Sequence, residues 1–431
     1  MVCFFTSVCR RIRHTIYLLS SFILLLKGEF LFCHSMSSVY NQKNFIKPEI
    51  DMAQKPEIQK EPAGRPDRAK GSILRLGFGK DKSFETDLRQ RVNEYFQQGS
   101  GRSKSGNRQM HLKTGVIFTC FVTSYVLLVF VAETIWQGLP LVILLGLSTV
   151  GIGFNVAHDG GHRAYSKTQW VNRVMAGAMD LVGGSSYIWF WKHSVIHHRY
   201  VNITGYDTDI DLGVFGRVSP HQKRLPFHRW QHLYLWFVYG FLAVKWEFVD
   251  DFWNIISGRI GEHRFPRPTA WELVIFVTGK TAFLTWAFVI PLFFHPFHVV
   301  IFYYAIGVLV LGVTLSVVFQ LPHCVEDAEF PIPREDTGQI ERPWAVHQAY
   351  VTVDYDRRNP VLSWLFGGLN FHKEHHLFPT ICHIHYPAIT NIVEETCRGH
   401  GIKYSEHTSF RAGIKAHYRW LQKMGKANNL N

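Results

Sequence analysis

The sequence is short of charged residues and of paired cysteines, and each shortage excludes a class of protein. Charged residues make up 18% of the 431 residues, below the quarter or so that is typical of soluble domains. The seven cysteines include no C-x-x-C pair, which argues against zinc ribbons and predicts free thiols in a reducing compartment. An H-E-x-x-H motif is also missing, which excludes the common zinc-protease arrangement.

Hydrophobic residues supply 47% of the chain and are bunched rather than periodic, which indicates membrane spans. The formal net charge of +13 would suit a nucleic-acid-binding protein, but no nucleic-acid-binding motif accompanies it. In a membrane protein, surplus Lys and Arg mark the cytoplasmic loops and attract anionic lipid head groups. We therefore predict an integral, multi-pass membrane protein that contacts membrane lipids and does not bind nucleic acid.

Composition divides the chain into three segments. Residues 1–51 form an atypical N-terminal extension with a basic start and a short apolar run, which is typical of an anchor or signal sequence. The alternative is that the start codon is assigned too early. Residues 52–112 are polar and partly disordered in pattern, with an amphipathic helix over 83–98 that is expected to lie on the membrane. Residues 113–431 carry the spans and the histidines described next.

Four apolar stretches are each near the ~20 residues that cross a bilayer, and they are 113–136, 138–157, 272–294 and 298–320. They pair as two helical hairpins, turned at Gln137 and at 295–297. These turns contain no Lys or Arg, whereas the three segments that flank the hairpins are rich in both. The positive-inside rule then places the flanking segments in the cytoplasm, so we predict an all-α fold with a cytoplasmic helical cap.

Three histidine clusters fall on that same predicted side. They are His158 and His162 (HDGGH), His193, His197 and His198 (HSVIHH), and His372, His375 and His376 (HKEHH). Helix positions i, i+3 and i+4 share a face, so the imidazoles of each cluster can point at a common site. Eight imidazoles exceed the four ligands of a tetrahedral zinc and suit two metal ions. A nitrogen-rich two-metal site at the membrane favours iron that activates dioxygen against an apolar substrate.

These clusters, with the residues around them, resemble the membrane fatty-acid desaturases. HDGGH, HSVIHH and HKEHH are similar to the histidine boxes of that family. FGGLN and HHLFPTICHIHYP, within 366–387, resemble the front-end acyl desaturases of the delta-6 type. The resemblance implies a di-iron centre held by the box histidines, and His323, in VVFQLPHC, matches a further ligand position. Two departures stand out: His372 occupies a position that is usually glutamine in front-end enzymes, and the H-P-G-G haem motif of a fused cytochrome b5 domain is missing.

The activity that the resemblance implies is an oxygen-dependent insertion of a cis double bond into a fatty acyl chain. The substrate is expected to be an unsaturated acyl-CoA or acyl-lipid, with electrons from a separate carrier of the ferredoxin or cytochrome b5 type. A di-iron hydroxylase or ketolase acting on a lipid or carotenoid stays open, because the boxes do not reveal how the oxidant is used. A non-catalytic membrane metal-binding protein is the alternative of another class.

Four further residues are expected to support the metal ligands from outside. Metal-bound imidazoles usually donate their second nitrogen to an acceptor, and Asp159 is the expected acceptor beside the first cluster. Asp207, in YDTDIDLG, is expected to contact the second cluster. His347 and His383 complete the set as outer hydrogen-bond partners or ordering residues.

Overall fold

The computed structural model of the protein describes residues 76–98 and 103–426. The predicted N-terminal extension and much of the polar segment therefore lie outside the described residues. Helices carry most of the regular structure, and they are α1 (Ser83–Gln98), α2 (Arg108–Phe130), α3 (Ile135–Gly161), α4 (Gln169–Leu181), α5 (186–200), α6 (Gln231–Tyr239), α7 (242–257), α8 (Ala270–Leu292), α9 (Phe297–His323), α10 (Trp344–Val351), α11 (Pro360–Leu365), α12 (His372–Leu377), α13 (Tyr386–Gly399) and α14 (Phe410–Lys426).

Short two-stranded sheets accompany the helices, which the all-α prediction did not include. They are the parallel pair β1 (Gly77–Gly79) with β4 (Gln339–Pro343), the antiparallel pair β2 (Arg259–Ile260) with β3 (His263–Arg264), and the parallel pair β5 (Asp354–Tyr355) with β6 (Glu406–His407). The two parallel pairs join segments that are distant in the sequence, so they fasten the chain around the helices.

Four of the described helices are long and apolar enough to cross a membrane, and they are α2, α3, α8 and α9. The predicted number of candidate spans is confirmed, but the first turn was placed wrongly. The Thr134 side chain caps the start of α3, and Gln137 Oε1 accepts from the Thr134 N–H at 3.1 Å, so Gln137 lies inside the helix. The first N–H groups of a helix need acceptors, and this capping box supplies them at Thr134. The turn therefore ends, and α3 begins, earlier than predicted.

The spans pack against one another and against the helices that follow them in the sequence. α3 packs against α2 and α9, α8 packs against α4, and α7 packs against α9. α6 and α7 also expose large apolar side chains, including Phe237, Trp253 and Ile256. Neither helix is among the candidate spans, and their exposed apolar faces are typical of helices at a membrane interface.

The amphipathic helix α1 forms where it was predicted, but its expected position on the membrane was wrong. Its apolar side chains Phe84, Leu88, Val92 and Phe96 are buried. They pack in one core cluster with residues of α13. This apolar face therefore covers a protein core and leaves the polar face outward.

Candidate metal centre

The first histidine cluster lies at the end of α3, where the helix changes its winding. Residues Ile152–Ala157 form a π-helical segment directly before His158. A glycine is required at position 161, because a Cβ there would lie 2.1 Å from Cζ3 of Trp189. The indole of Trp189 thereby packs beside both histidines, with ring centroids 5.6 Å from His158 and 5.3 Å from His162.

The first two histidines of the second cluster lie in a π-helical segment, Phe190–His197, and not in the predicted α-helical winding, and His198 follows this segment directly. In an α-helix, residues five apart are separated by roughly 140° around the axis, which would turn His198 away from His193. The wider π winding lets the His198 N–H bond to the His193 carbonyl. It also brings the two Nε2 atoms within 3.3 Å. π-helical segments are rare and occur often at functional sites.

The third cluster occupies the short helix α12, whose three histidines are fully buried. The FGGLN segment before it turns back onto α3. Gly367 has a φ of +60°, and a Cβ at this position would lie 2.4 Å from the carbonyl oxygen of Phe154. Glycine is therefore needed both for the left-handed backbone and for the close approach to α3.

The fold brings all nine predicted ligands together: seven of them form two adjoining sets, and the other two adjoin these sets. The first set has ligand nitrogens within 4.8 Å of one another and consists of His158, His162, His193 and His375. The second set meets the same limit and consists of His197, His323 and His376. His198 adjoins both sets through His375 and His376. His372 adjoins the second set, since its Nε2 lies 2.8 Å from Nε2 of His323. Two such sets are what a two-metal site requires.

In the second set, every imidazole donates its outer nitrogen to an acceptor. The Nδ1–H donors and acceptors are His197 to Asp207 Oδ1 (3.1 Å), His323 to the Val351 carbonyl (3.2 Å) and His376 to Gln348 Oε1 (3.1 Å). Donation from Nδ1 leaves the lone pair on Nε2, which is the form of imidazole that binds a metal.

The inner nitrogens then face one another with lone pairs, which tests whether a metal fits. Nδ1–H of His372 donates to the Leu369 carbonyl at 2.9 Å, as Nδ1–H of His323 donates to a carbonyl. Both Nε2 atoms therefore carry lone pairs, and lone pairs 2.8 Å apart repel unless a cation lies between them. Other buried inner nitrogens have no hydrogen-bond partner among the described residues, and they include Nε2 of His162, His197, His375 and His376. Such unpaired buried groups are costly, so this donor set fits metal ions.

Burial keeps most of these imidazoles neutral. It lowers the pKa of His193 to about 3, because a charged group is disfavoured away from water. Burial first, and then neighbouring imidazoles, lowers the pKa well below the ordinary 6.5 for His162, His198, His372, His375 and His376. His197 differs, because Asp207 and Asp209 raise its pKa against the opposing effect of burial. Neutral imidazoles keep their lone pairs available to a metal at neutral pH.

The two predicted carboxylate supports differ in their contact with the histidines. Asp207 is bonded to His197, as described above, and its other oxygen accepts from the backbone N–H of Asn202 at 2.9 Å. Asp159 lies beside His158, but 3.9 Å separates its Oδ1 from Nδ1, which is longer than a hydrogen bond. Only Asp207 therefore fixes the orientation of a cluster imidazole directly.

The other two predicted supports lie further out. Nδ1 of His383 lies 2.8 Å from Asp159 Oδ2, and its Nε2 lies 2.9 Å from Nζ of Lys113. This buried chain holds Asp159 in place. Nε2 of His347 contacts the Val201 carbonyl at 3.1 Å, so its hydrogen bond orders the chain just after the second cluster and does not reach an imidazole.

Asp209 lies in the same acidic loop as Asp207 and was not among the predicted site residues, but it also neighbours the site. Its Oδ2 lies 3.6 Å from Nδ1 of both His193 and His197. The D-T-D spacing was a usable signal, because an Asp side chain often accepts from the backbone N–H two residues on, as Asp207 Oδ1 does from Asp209 N–H at 2.9 Å. Asp207 and Asp209 together supply the negative charge beside the second cluster.

Gln348 and Tyr386 were also missed, and they had no local signal. Gln348 follows His347 on α10 and bonds to His376, as described above. The hydroxyl of Tyr386, the first residue of α13, lies 3.3 Å from Nδ1 of His375. Both contacts depend on how separate helices pack, which the spacing of histidines does not encode.

Two adjacent cavities lead from the histidines towards the candidate spans. The metal-end cavity is bordered by His158 and Trp189. The bundle cavity lies among α2, α3, α8 and α9 and has a mainly apolar lining. Both cavities are bordered by the same four residues, Thr149, Val182, Glu247 and Leu311. The shared lining residues make the cavities adjacent, and we refer to the two cavities together as the apolar path.

Comparison with known proteins gives consistent matches over most of the chain. Residues 134–408 match the family model for fatty acid desaturase. The chain is 37% identical over 352 residues to the sn-1 linoleoyl-lipid 6-desaturase of Arthrospira platensis, covering 81% of this chain and 95% of that protein. It is 33% identical over 355 residues to the sn-1 linoleoyl-lipid 6-desaturase of Synechocystis sp., covering 82% and 99%. It is 34% identical over 373 residues to the acyl-lipid (8-3)-desaturase of Physcomitrium patens, covering 84% and 76%.

Proposed function

Because the chain belongs to the fatty acid desaturase family, we propose that it is a front-end, delta-6-like enzyme that inserts a cis double bond into an unsaturated acyl chain. As a member of this family the chain is an oxidoreductase, its four long apolar helices are those of an integral membrane protein, and its buried histidines would hold the metal. We also propose that the enzyme uses two iron ions as its cofactor and dioxygen as its co-substrate. The names of the relatives favour an acyl-lipid substrate over acyl-CoA.

One observation carries this proposal beyond the family assignment. The lone pairs of buried imidazoles converge at one end of the apolar path, and His158 belongs to the first histidine set and also borders the metal-end cavity. A methylene pair of an acyl chain lying in this path would stand next to the metal ligands. Holding reactants at such short range removes much of the entropic barrier to reaction.

The residues of this chain would hold the metal, bind the acyl chain and exclude water from it, while the metal supplies the oxidising chemistry. Bound iron supplies the power to oxidise an unactivated CH2–CH2 pair, which side chains lack. The nine histidines would hold the iron ions, and Asp207 fixes the orientation of His197. The apolar lining of the two cavities binds the acyl chain and excludes water from the reacting carbons.

His372 occupies the position at which this chain departs from the usual front-end pattern. Its Nε2 and that of His323 lie 2.8 Å apart with both lone pairs facing inward. We infer that His372 serves as a ninth ligand, where front-end enzymes usually carry glutamine. A histidine at this position should strengthen metal binding, and the double-bond position is then established by the product analysis described below.

The remaining parts of the proposal concern the membrane and the electron supply. We propose that α2 with α3 and α8 with α9 form two hairpins whose flanking segments, including the histidine sets, face the cytoplasm. The charge distribution of the sequence supports this orientation. Electrons would come from a separate carrier of the ferredoxin or cytochrome b5 type. We retain 113–431 as the desaturase segment and 1–51 as an extension.

The test is a fatty-acid profile by gas chromatography and mass spectrometry, from a host that expresses the chain and is fed linoleate. We expect a new product with a double bond between the carboxyl end and the existing double bonds. His375→Ala should abolish it while the protein still inserts in membranes, and His400→Ala, a histidine paired with Asp87 on the surface, should leave it unchanged. A hydroxylated product would move the assignment to a hydroxylase, and unchanged product from His375→Ala would overturn the metal site.

A further inference from the structure

The apolar path from the histidines is interrupted by one acidic side chain. Glu247, on α7, borders both the metal-end cavity and the bundle cavity. Among the described residues that line either cavity, no other carries an acidic or an ammonium or guanidinium group. An acid beside an acyl chain is unfavourable unless it has polar partners, and neither the metal site nor the spans account for it.

The surroundings of Glu247 are built to hold it at this position. The hydroxyl of Tyr304, on α9, donates to Glu247 Oε2, and Tyr304 lines the bundle cavity. Gly183 has a φ of +95°, and a Cβ there would lie 3.0 Å from Cγ of Glu247. Glycine at position 183 therefore leaves the space that the acidic side chain occupies.

A buried lysine ties the same segments together. Nζ of Lys280, on α8, donates to the carbonyl of Gly183 at 2.6 Å, to the carbonyl of Glu247 at 3.0 Å and to Asp251 Oδ2 at 2.8 Å. These bonds fix the backbone on both sides of the junction between the cavities. Lys280 thus forms an ion pair with Asp251, whereas the side chain of Glu247 bonds to Tyr304.

The acid at the junction can act as a hydrogen-bond donor. Burial raises the pKa of Glu247 to about 7, against the lowering effect of the bond from Tyr304. A protonated carboxyl group carries an O–H donor, and saturated methylenes offer no acceptor for its hydrogen bond. The π electrons of a cis double bond can accept it as a weak hydrogen bond.

We propose that Glu247, positioned by Tyr304, is a specificity-determining contact that favours an acyl chain carrying a cis double bond at the cavity junction over a saturated chain of equal length. This inference rests on the proposed function, because it assigns the junction to the acyl chain beyond the reacting carbons. The contact selects among acyl chains and takes no part in the oxidation.

The experiment is a competition between stearate, oleate and linoleate, which have equal chain length, in membranes of a host expressing the full chain. Product ratios are measured by gas chromatography and mass spectrometry. Glu247→Leu removes the donor and should lower the preference for linoleate over stearate by about 2–5-fold. Glu247→Gln keeps an N–H donor at the same place and should retain the preference.

Two further variants keep the result decisive. Leu311→Met changes the shape of the same junction without adding polarity and should leave the ratio as in the wild type. Tyr304→Phe removes the positioning bond and should lower the ratio in the same direction, so it decides the question if Glu247→Leu does not fold. A wild-type ratio in the Glu247→Leu or, failing that, the Tyr304→Phe protein overturns this inference. A wild type that converts none of the three acids overturns the proposed function instead.

Discussion

The two sets of histidines differ in how their outer nitrogens are supported. Each imidazole of the second set donates Nδ1–H at 3.1–3.2 Å to a carboxylate, an amide or a backbone carbonyl. In the first set the outer contacts are longer, and they are His193 to Asp209 (3.6 Å), His158 to Asp159 (3.9 Å) and His375 to Tyr386 (3.3 Å).

Packing takes the place of hydrogen bonds in the first set. The indole of Trp189 stacks on His193 with ring centroids 4.7 Å apart and the planes inclined by 27°. Ring packing restrains an imidazole less specifically than a hydrogen bond that also fixes its tautomer. The second set is therefore the better preorganised metal position, and we expect the first set to lose its metal more readily.

The largest expected effect is the response of the metal-free protein to acid. The first-set histidines with lowered pKa stay neutral in the folded state, while the unfolded chain takes up protons below about pH 6.5. Folding stability should then fall as pH drops below that value, by about 2 kcal/mol per histidine at pH 5. His197, whose pKa is raised, contributes with the opposite sign: its stabilisation is present below pH 6.5 and is lost as pH rises.

Denaturant unfolding in detergent at pH 7.5 and pH 5 measures this difference. His193→Gln should reduce the pH dependence of the free energy of unfolding by about 2 kcal/mol. His197→Gln should leave the pH dependence equal or larger. Equal reductions in both variants would mean that His193 and His197 do not differ in their protonation.

The next effect concerns the carboxylate of the second set. Asp207→Ala removes the acceptor of His197, and outer partners of this kind are worth about 10–100-fold in metal affinity. Asp159→Ala should cost less, because 3.9 Å separates that carboxylate from His158. Metal affinity is measured by competition with a chelator, with Asp211→Ala as the control, since this exposed residue only caps the Gly213 N–H. Equal losses at positions 207 and 159 would remove the distinction between the sets.

A smaller effect should follow from crowding the packing of the first set. In Gly161→Ala the new Cβ would collide with Trp189, and overpacking of this kind costs about 1–3 kcal/mol. Metal should also leave the first set sooner, because Trp189 shifts against His193. Gly115→Ala meets no atom within 4 Å and should be neutral or stabilising by up to about 1 kcal/mol. Thermal unfolding in detergent compares the two.

The smallest effect is expected for the longest hydrogen bond. Tyr386→Phe removes a hydroxyl 3.3 Å from Nδ1 of His375, and such a bond contributes about 0.5–1.5 kcal/mol. We expect metal affinity to fall less than ten-fold, below the loss from Asp207→Ala. A loss as large as that of Asp207→Ala would show that the first set also depends on its outer hydrogen bond.

Sequence patterns predicted the elements that depend on local composition. Four apolar runs identified four candidate spans, and the histidine spacings identified residues that the fold does bring together. The π winding at Phe190–His197 was not predictable, because histidines at i and i+4 face similar directions in α- and π-helices. The apolar stripe of α1 predicted a helix correctly, but a stripe does not tell a membrane surface from a protein core.

Contacts between residues that are far apart in the sequence could not be predicted from its patterns. Tyr386 and Gln348 reach the site only through the packing of α13 and α10, and the chain around them carries no metal-binding pattern. Glu247 lies in a segment rich in aromatic residues, where an acidic residue indicates only the polar side of a helix. Its place between two cavities follows from the packing of α7 against α9.

The most direct test of this account is the iron content of the purified protein, measured by mass spectrometry during stepwise chelation. We predict two iron ions per chain, lost in two separable phases, with Asp207→Ala bringing the slower phase closer to the faster one. A protein that makes the desaturated product with a single metal ion per chain would contradict the two-set metal centre.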